Sequence, residues 1–220
     1  MMFYRLMLAH LVGDFVLQNR WLVVRKRTPG GLALHIGLVG LAMVPVSWER
    51  LGEWWPWLLT ILIVHGVTDG VKVRLEPRLR VPPIVPFVVD QVVHVVTIAV
   101  VAALAEPLSL GRVLGGGEPG WWIGSVYLMA TFALSIALPL WLDPPSVMRR
   151  PLAPRLTMIA ASALVLTLAW RGLPMLIPVV GLGLYQGVAR RMSRQPVMAT
   201  FPTEFLCALV VAASLGWGVL

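Results

Sequence analysis

Cysteine is nearly missing from this sequence. Cys207 stands alone, which excludes a disulfide framework and a thiolate metal site; it reads as a small buried residue. Charge is scarce as well. Only 13% of the 220 residues are charged while 58% are hydrophobic, and acidic residues number 10 against 18 basic ones. A water-soluble domain of this length cannot hide so much apolar surface. Alternating polar and apolar segments, the mark of a membrane barrel, are absent. The glycine run "LGRVLGGGEPG" lacks the Lys-Ser/Thr of a phosphate loop. The apolar N-terminus has no small-residue cleavage site and is interrupted by His10 and Asp14. It therefore reads as a retained first membrane helix, not a signal peptide.

What is present is apolar sequence, with a mean hydropathy of +0.83. The expected fold is all-α, a polytopic transmembrane helix bundle, because lipid cannot satisfy open backbone groups. About 20 apolar residues cross a bilayer. Eight spans are expected near 3–20, 31–47, 54–72, 84–105, 121–142, 153–170, 173–189 and 202–220. The count becomes seven if "RGLP" is no membrane turn. Loops after the odd-numbered spans hold 14 of the 18 basic residues; Arg5, Arg50, Arg112 and Arg171 fall on the other side. The positive-inside rule then puts both termini on the external side. The basic runs thus act as topology signals beside anionic head groups, and no nucleic-acid partner is expected. The chain divides near residue 110. Residues 1–110 form a four-helix module with every histidine, and 111–220 an apolar four-helix module. A bacterial inner (cytoplasmic) membrane is the expected location.

Three His/Asp pairs recur at a spacing of four: His10 and Asp14, His65 and Asp69, and, reversed, Asp90 and His94. Residues four apart share a helical face. The reversed pair lies on a span running the opposite way, so every His keeps to the outer side of its Asp. His35 falls at the same depth. The seven groups are expected to share one slab in the cytoplasmic half of the bilayer. Three isolated aspartates at such depth would cost on the order of 8–10 kcal/mol. A divalent cation offsets that cost, and carboxylates with neutral imidazoles suit zinc, with manganese or iron as alternatives. The metal candidates are therefore His10, Asp14, His35, His65, Asp69, Asp90 and His94. Asp14, Asp69 and Asp90 are the candidates for catalysis, one of them as general base. Gln18, Gln91, Lys72 and Thr97 are the expected supporting partners. Glu204 reads as a helix-start carboxylate.

The stretches "LAHLVGDFVLQNRW", "RKR", "LALHIG", "HGVTDGVK" and "DQVVH" resemble a bacterial membrane family catalogued as domain of unknown function 3307, over roughly residues 1–110. The resemblance implies His10, Asp14, Gln18, His35, His65, Asp69, Lys72, Asp90, Gln91 and His94 as its pattern residues. The pattern is also similar, more weakly, to inner-membrane proteins described as metal-dependent hydrolases. Three functions remain open on sequence. One is a metal-dependent hydrolase of a lipid-embedded ester or phosphate, with a membrane lipid or lipid-linked substrate as partner. The second is a divalent metal or proton-coupled transporter. The third is a structural or interaction protein held by a His/Asp hydrogen-bond network.

Overall fold

The computed structural model describes residues 2–106, 118–144, 152–173, 176–192 and 200–217. Helices dominate, with no strand among the described residues. The chain forms two compact units, Met1–Ser125 and Val126–Leu220. The module boundary expected near residue 110, the glycine run 111–117, and Arg112, Arg149, Arg150 and Arg194 lie outside the described residues.

In the first unit, α1 (Met2–Leu11) runs into a π-helical turn, Val12–Leu17. The chain leaves the helix at Gln18, in extended geometry, and Asn19 caps the short α2 (Arg20–Arg25) by accepting from the Leu22 amide at 3.0 Å. The first helical segment is therefore shorter than the expected span 3–20 and ends in a bend. Helix α3 (Pro29–Ser47) starts at Thr28, whose hydroxyl accepts from the Gly31 amide, with Pro29 in the first turn. Capping and proline both favour a helix start there. Helix α4 (Leu51–Leu75) follows a short 3-10 turn, and α5 (Ile84–Ala105) completes the set.

Helices α3 and α4 lie antiparallel. Gly40 faces Leu62, Gly66 faces Ile36, and Gly70 faces Leu32, so contacts climb one helix as they descend the other. Helix α3 also packs on α1, and α5 on both α4 and α1. Their inward faces combine polar and apolar groups. Helix α3 buries His35, Val39 and Met43; α4 buries Leu58, Ile61, His65 and Asp69; α5 buries Asp90, His94 and Ile98. Their outward faces are apolar: Leu34 and Leu41, Ile63 and Val67, and Val88, Val89, Val92, Val96 and Val100 are exposed. A fold in water would invert this arrangement.

By length and composition, four helical stretches can cross a membrane: 29–78, 84–105, 119–142 and 152–170. The first of them contains both α3 and α4. Helices Leu176–Arg190 and Phe201–Gly216 are apolar but shorter. The chain is a helical, membrane-type protein.

The second unit has a core of its own, including Met158, Val165, Leu166, Phe201 and Phe205. Helix α6 (Pro119–Leu128) reaches it through a π-turn (Met129–Ala133) that leads into α7 (Leu134–Leu142). Next come α8 (Leu152–Trp170), α9 (Leu176–Met192) and α10 (Phe201–Trp217). Arg171, Gly172 and Leu173 of "RGLP" follow the end of α8. Gly172 sits at φ 68°, its amide bonds Ala169 O, and the Leu173 amide bonds Leu168 O. That is a Schellman stop, which glycine adopts without Cβ strain. Glu204 lies in the first turn of α10, as expected, and accepts from the Thr200 hydroxyl at 2.7 Å.

Helices α8 and α10 approach closely through small residues. A Cβ on Gly216 would overlap Ala169 Cβ. Gly216→Leu is therefore expected to destabilise the second unit by about 1–3 kcal/mol through overpacking. Thermal unfolding in detergent checks this; an unchanged transition would show that α8 and α10 do not pack there.

Candidate metal centre

The turn after α1 and helices α1, α3, α4 and α5 deliver the candidate ligating groups of the first unit. The turn after α1 is the π-turn. Gly13 lies against Val39, where a Cβ would come within 2.7 Å of Val39 Cγ2, so only glycine lets the turn seat against α3. The widened turn carries Asp14 inward, and π-turns often occur at functional positions for this reason. Helix α4 presents His65 and Asp69 one turn apart, at 3.5 Å, and α5 presents Asp90 and His94 at 3.3 Å. His35 comes from α3 without a partner on its own helix. It lies 3.0 Å from His65 Nε2, 3.0 Å from Asp69 Oδ2 and 3.3 Å from Asp14 Oδ1.

All seven expected ligands are thereby brought together, and all are buried. His10 Nε2 is 3.8 Å from Asp14 Oδ2, and its ring stands 5.0 Å from that of His94. His65 and His94 have ring centroids 4.2 Å apart. Three overlapping groups have donor atoms close enough to hold an ion: His10, Asp14 and His65; His35, His65 and Asp69; and Asp14, Asp90 and His94.

The spacing would fit a coordination sphere. Ligands about 2.0–2.1 Å from a tetrahedral zinc lie about 3.3 Å from each other. The edges among His35, His65 and Asp69 are 3.0, 3.0 and 3.5 Å. Hydrogen bonds and ion pairs satisfy the cluster only in part. His94 Nε2 and Asp90 Oδ1 lie 3.3 Å apart and Asp14 Oδ1 lies 3.3 Å from His35 Nε2, while Asp69 Oδ1 is buried without a hydrogen-bond partner. A buried polar atom without a partner is costly, and a cation shared by these groups would lower that cost. The residues present fit a divalent ion with nitrogen and oxygen ligands.

Two of the four expected supporting residues contact the cluster directly, and a third acts at one remove. Gln91 Nε2 donates to Asp14 Oδ2 and Asp90 Oδ2 at 3.2 and 3.3 Å. Lys72 Nζ donates to Asp90 Oδ2 at 2.8 Å. Gln18 does not continue the His10–Asp14 face, because the helix has ended there. It acts at one remove, accepting from Lys26 Nζ at 2.9 Å. Thr97 is a correction. Its hydroxyl bonds the Val93 carbonyl one turn back and supports no ligand. Lys26 was missed by sequence reasoning. Its Nζ sits 2.6 Å from Asp69 Oδ2 and the side chain is buried. Within "RKR" it looks like one more topology charge; only the bend at Gln18 and Asn19 turns it inward.

The first unit has a second polar layer, formed by other residues. Arg5 contacts Glu118 at 2.8 Å and Glu49 at 3.5 Å, and Arg50 contacts Glu106 at 2.6 Å and Glu53 at 3.1 Å. Hydrogen bonding from Arg5 holds the Glu118 carboxyl below its usual range. Between this layer and the His/Asp cluster, Leu6, Val39, Met43, Leu58, Ile61 and Ile98 fill the interior.

Residues 2–112 match the family described as "Protein of unknown function (DUF3307)", a stretch that contains every residue of the cluster. No curated protein and no solved structure matches the chain.

Proposed function

The chain belongs to the DUF3307 family of proteins of unknown function, and from that premise we propose that it is a metal-dependent hydrolase of a lipid-embedded ester or phosphate, acting in a bacterial inner membrane. The observation that carries this reading is the buried His35, His65 and Asp69 triangle, with edges of 3.0–3.5 Å. Zinc is the favoured ion, with manganese and iron as alternatives. When bound, such an ion polarises a phosphoryl or carbonyl oxygen and gives water nucleophilic strength near neutral pH.

The chain's own residues supply the rest. Gln91 ties Asp14 to Asp90 and fixes both carboxylates. Three aspartates exceed what one ion needs, which leaves one to take a proton from water. No Ser or Cys lies within four residues of His10, His35, His65 or His94, so direct attack by water is favoured over a covalent intermediate. The apolar filling between the two polar layers supports a one-sided site over a transport path, which needs polar stations along the whole crossing.

Elemental analysis of detergent-purified protein tests the reading. Stoichiometric zinc, manganese or iron is expected, with hydrolysis of a lipid ester or phosphate lost on chelation and restored by the ion. Protein that purifies metal-free and takes up none of the three on dialysis would end the hydrolase reading. Bound metal with ion flux in proteoliposomes, and no hydrolysis, would replace it with transport.

A further inference from the structure

Two of the three ligand groups share no residue. His35, His65 and Asp69 form one; Asp14, Asp90 and His94 form the other. Each has its own lysine. Lys26 Nζ lies 2.6 Å from Asp69 Oδ2, and Lys72 Nζ lies 2.8 Å from Asp90 Oδ2. Asp14 joins the two groups, since its Oδ1 is 3.3 Å from His35 Nε2 and 3.6 Å from His65 Nε2. A carboxylate reaching both groups is what a two-ion site requires, because it can bridge ions as an imidazole nitrogen cannot.

We propose that the substrate of this site is a phosphate ester, its phosphoryl group bound between two divalent ions and gripped by Lys26 and Lys72. The proposal rests on the hydrolase reading above and narrows it from esters in general to phosphate. Charge is the reason. With neutral imidazoles, three carboxylates and two ammonium groups leave one negative charge. Two divalent ions convert that to three positive charges in a buried cluster, which is untenable without an anion. A phosphate dianion with one hydroxide balances it; a neutral ester balances nothing. The ions would also take the carboxylate oxygens that the ammonium groups now hold. Lysine, a point charge on a flexible four-carbon stem, can then turn to a phosphate oxygen. Hydrolysis would form one P–O bond to the hydroxide oxygen and break one to the alcohol oxygen. The proton that water gave to solvent on becoming hydroxide returns from solvent to the alcohol, and no further reactant is needed.

The test uses full-length protein in detergent, loaded with zinc, with metal content measured beside calorimetric titration of inorganic phosphate. Two zinc ions per chain and saturable phosphate binding are expected. Lys26→Met and Lys72→Met should each retain zinc and weaken phosphate binding at least tenfold, and Lys26→Arg should restore most of it. Lysines that only neutralise carboxylates give the opposite result: tighter zinc and unchanged phosphate affinity, which overturns the proposal. If a Met variant does not fold, wild type still decides through hydrolysis of p-nitrophenyl phosphate against p-nitrophenyl acetate. Preference for the acetate overturns the phosphate assignment and leaves the hydrolase reading standing. Zinc-free protein overturns both, and the metal measurement identifies that case. Phosphatidic acid and glycerol 3-phosphate, compared as substrates, separate a lipid source from a soluble one, and either supports the class.

Discussion

Asp69→Asn is expected to lower bound metal and to reduce hydrolysis at least a hundredfold, with the protein still folded. Asp69 is completely buried and holds a triangle edge with both His35 and His65. The amide keeps the shape but removes the charge that holds a cation. Loss of a first-row ion from a hydrolytic site costs several kcal/mol of transition-state stabilisation, hence the size of the effect. Folding should survive, because a membrane-buried charge has been deleted, although Lys26 loses its counterion. Thr97→Val is the matched control. Its hydroxyl serves only the Val93 carbonyl, so metal content and turnover should not move. A metal content equal to wild type in Asp69→Asn would remove Asp69 from the site. Equal loss in both variants would point to general damage.

Val96→Asp is expected to impair membrane insertion by about 2.5–3.5 kcal/mol, the insertion cost of aspartate near the middle of a spanning helix. Val96 is 53% exposed on α5, in line with exposed Val89, Val92 and Val100. Facing water, an aspartate there would be harmless or would improve solubility. Facing lipid, it has no partner, unlike Asp90 on the same helix, which contacts Lys72 and His94. A translocon insertion assay of residues 84–105, together with the yield of full-length protein in the membrane fraction, reads the effect. Val96→Leu should behave as wild type. Undiminished insertion of Val96→Asp would mean that this face of α5 meets protein or water.

Both predictions use residues whose presence in the sequence is plain and whose partners are not. Composition and apolar run length determine an all-helical membrane chain, because lipid leaves the backbone no other way to satisfy its hydrogen bonds. The i, i+4 spacing determines that His10 and Asp14, His65 and Asp69, and Asp90 and His94 each face one direction, because about 3.6 residues make a helical turn. Those are local properties, and the sequence carries them alone. How the helices are set against each other is not local. Close approaches such as Gly13 on Val39, Gly66 on Ile36 and Gly40 on Leu62 fix the heights at which α1, α3 and α4 meet. Only those heights bring His35, with no partner on its own helix, within 3.0 Å of His65 and Asp69. The π-turn at Val12–Leu17 and the bend at Gln18 leave no periodic signature, yet they aim Asp14 inward and return Lys26 to Asp69. Thr97 has the right depth and helix, but its hydroxyl found an acceptor in its own preceding turn, a competition between backbone and site that spacing does not decide.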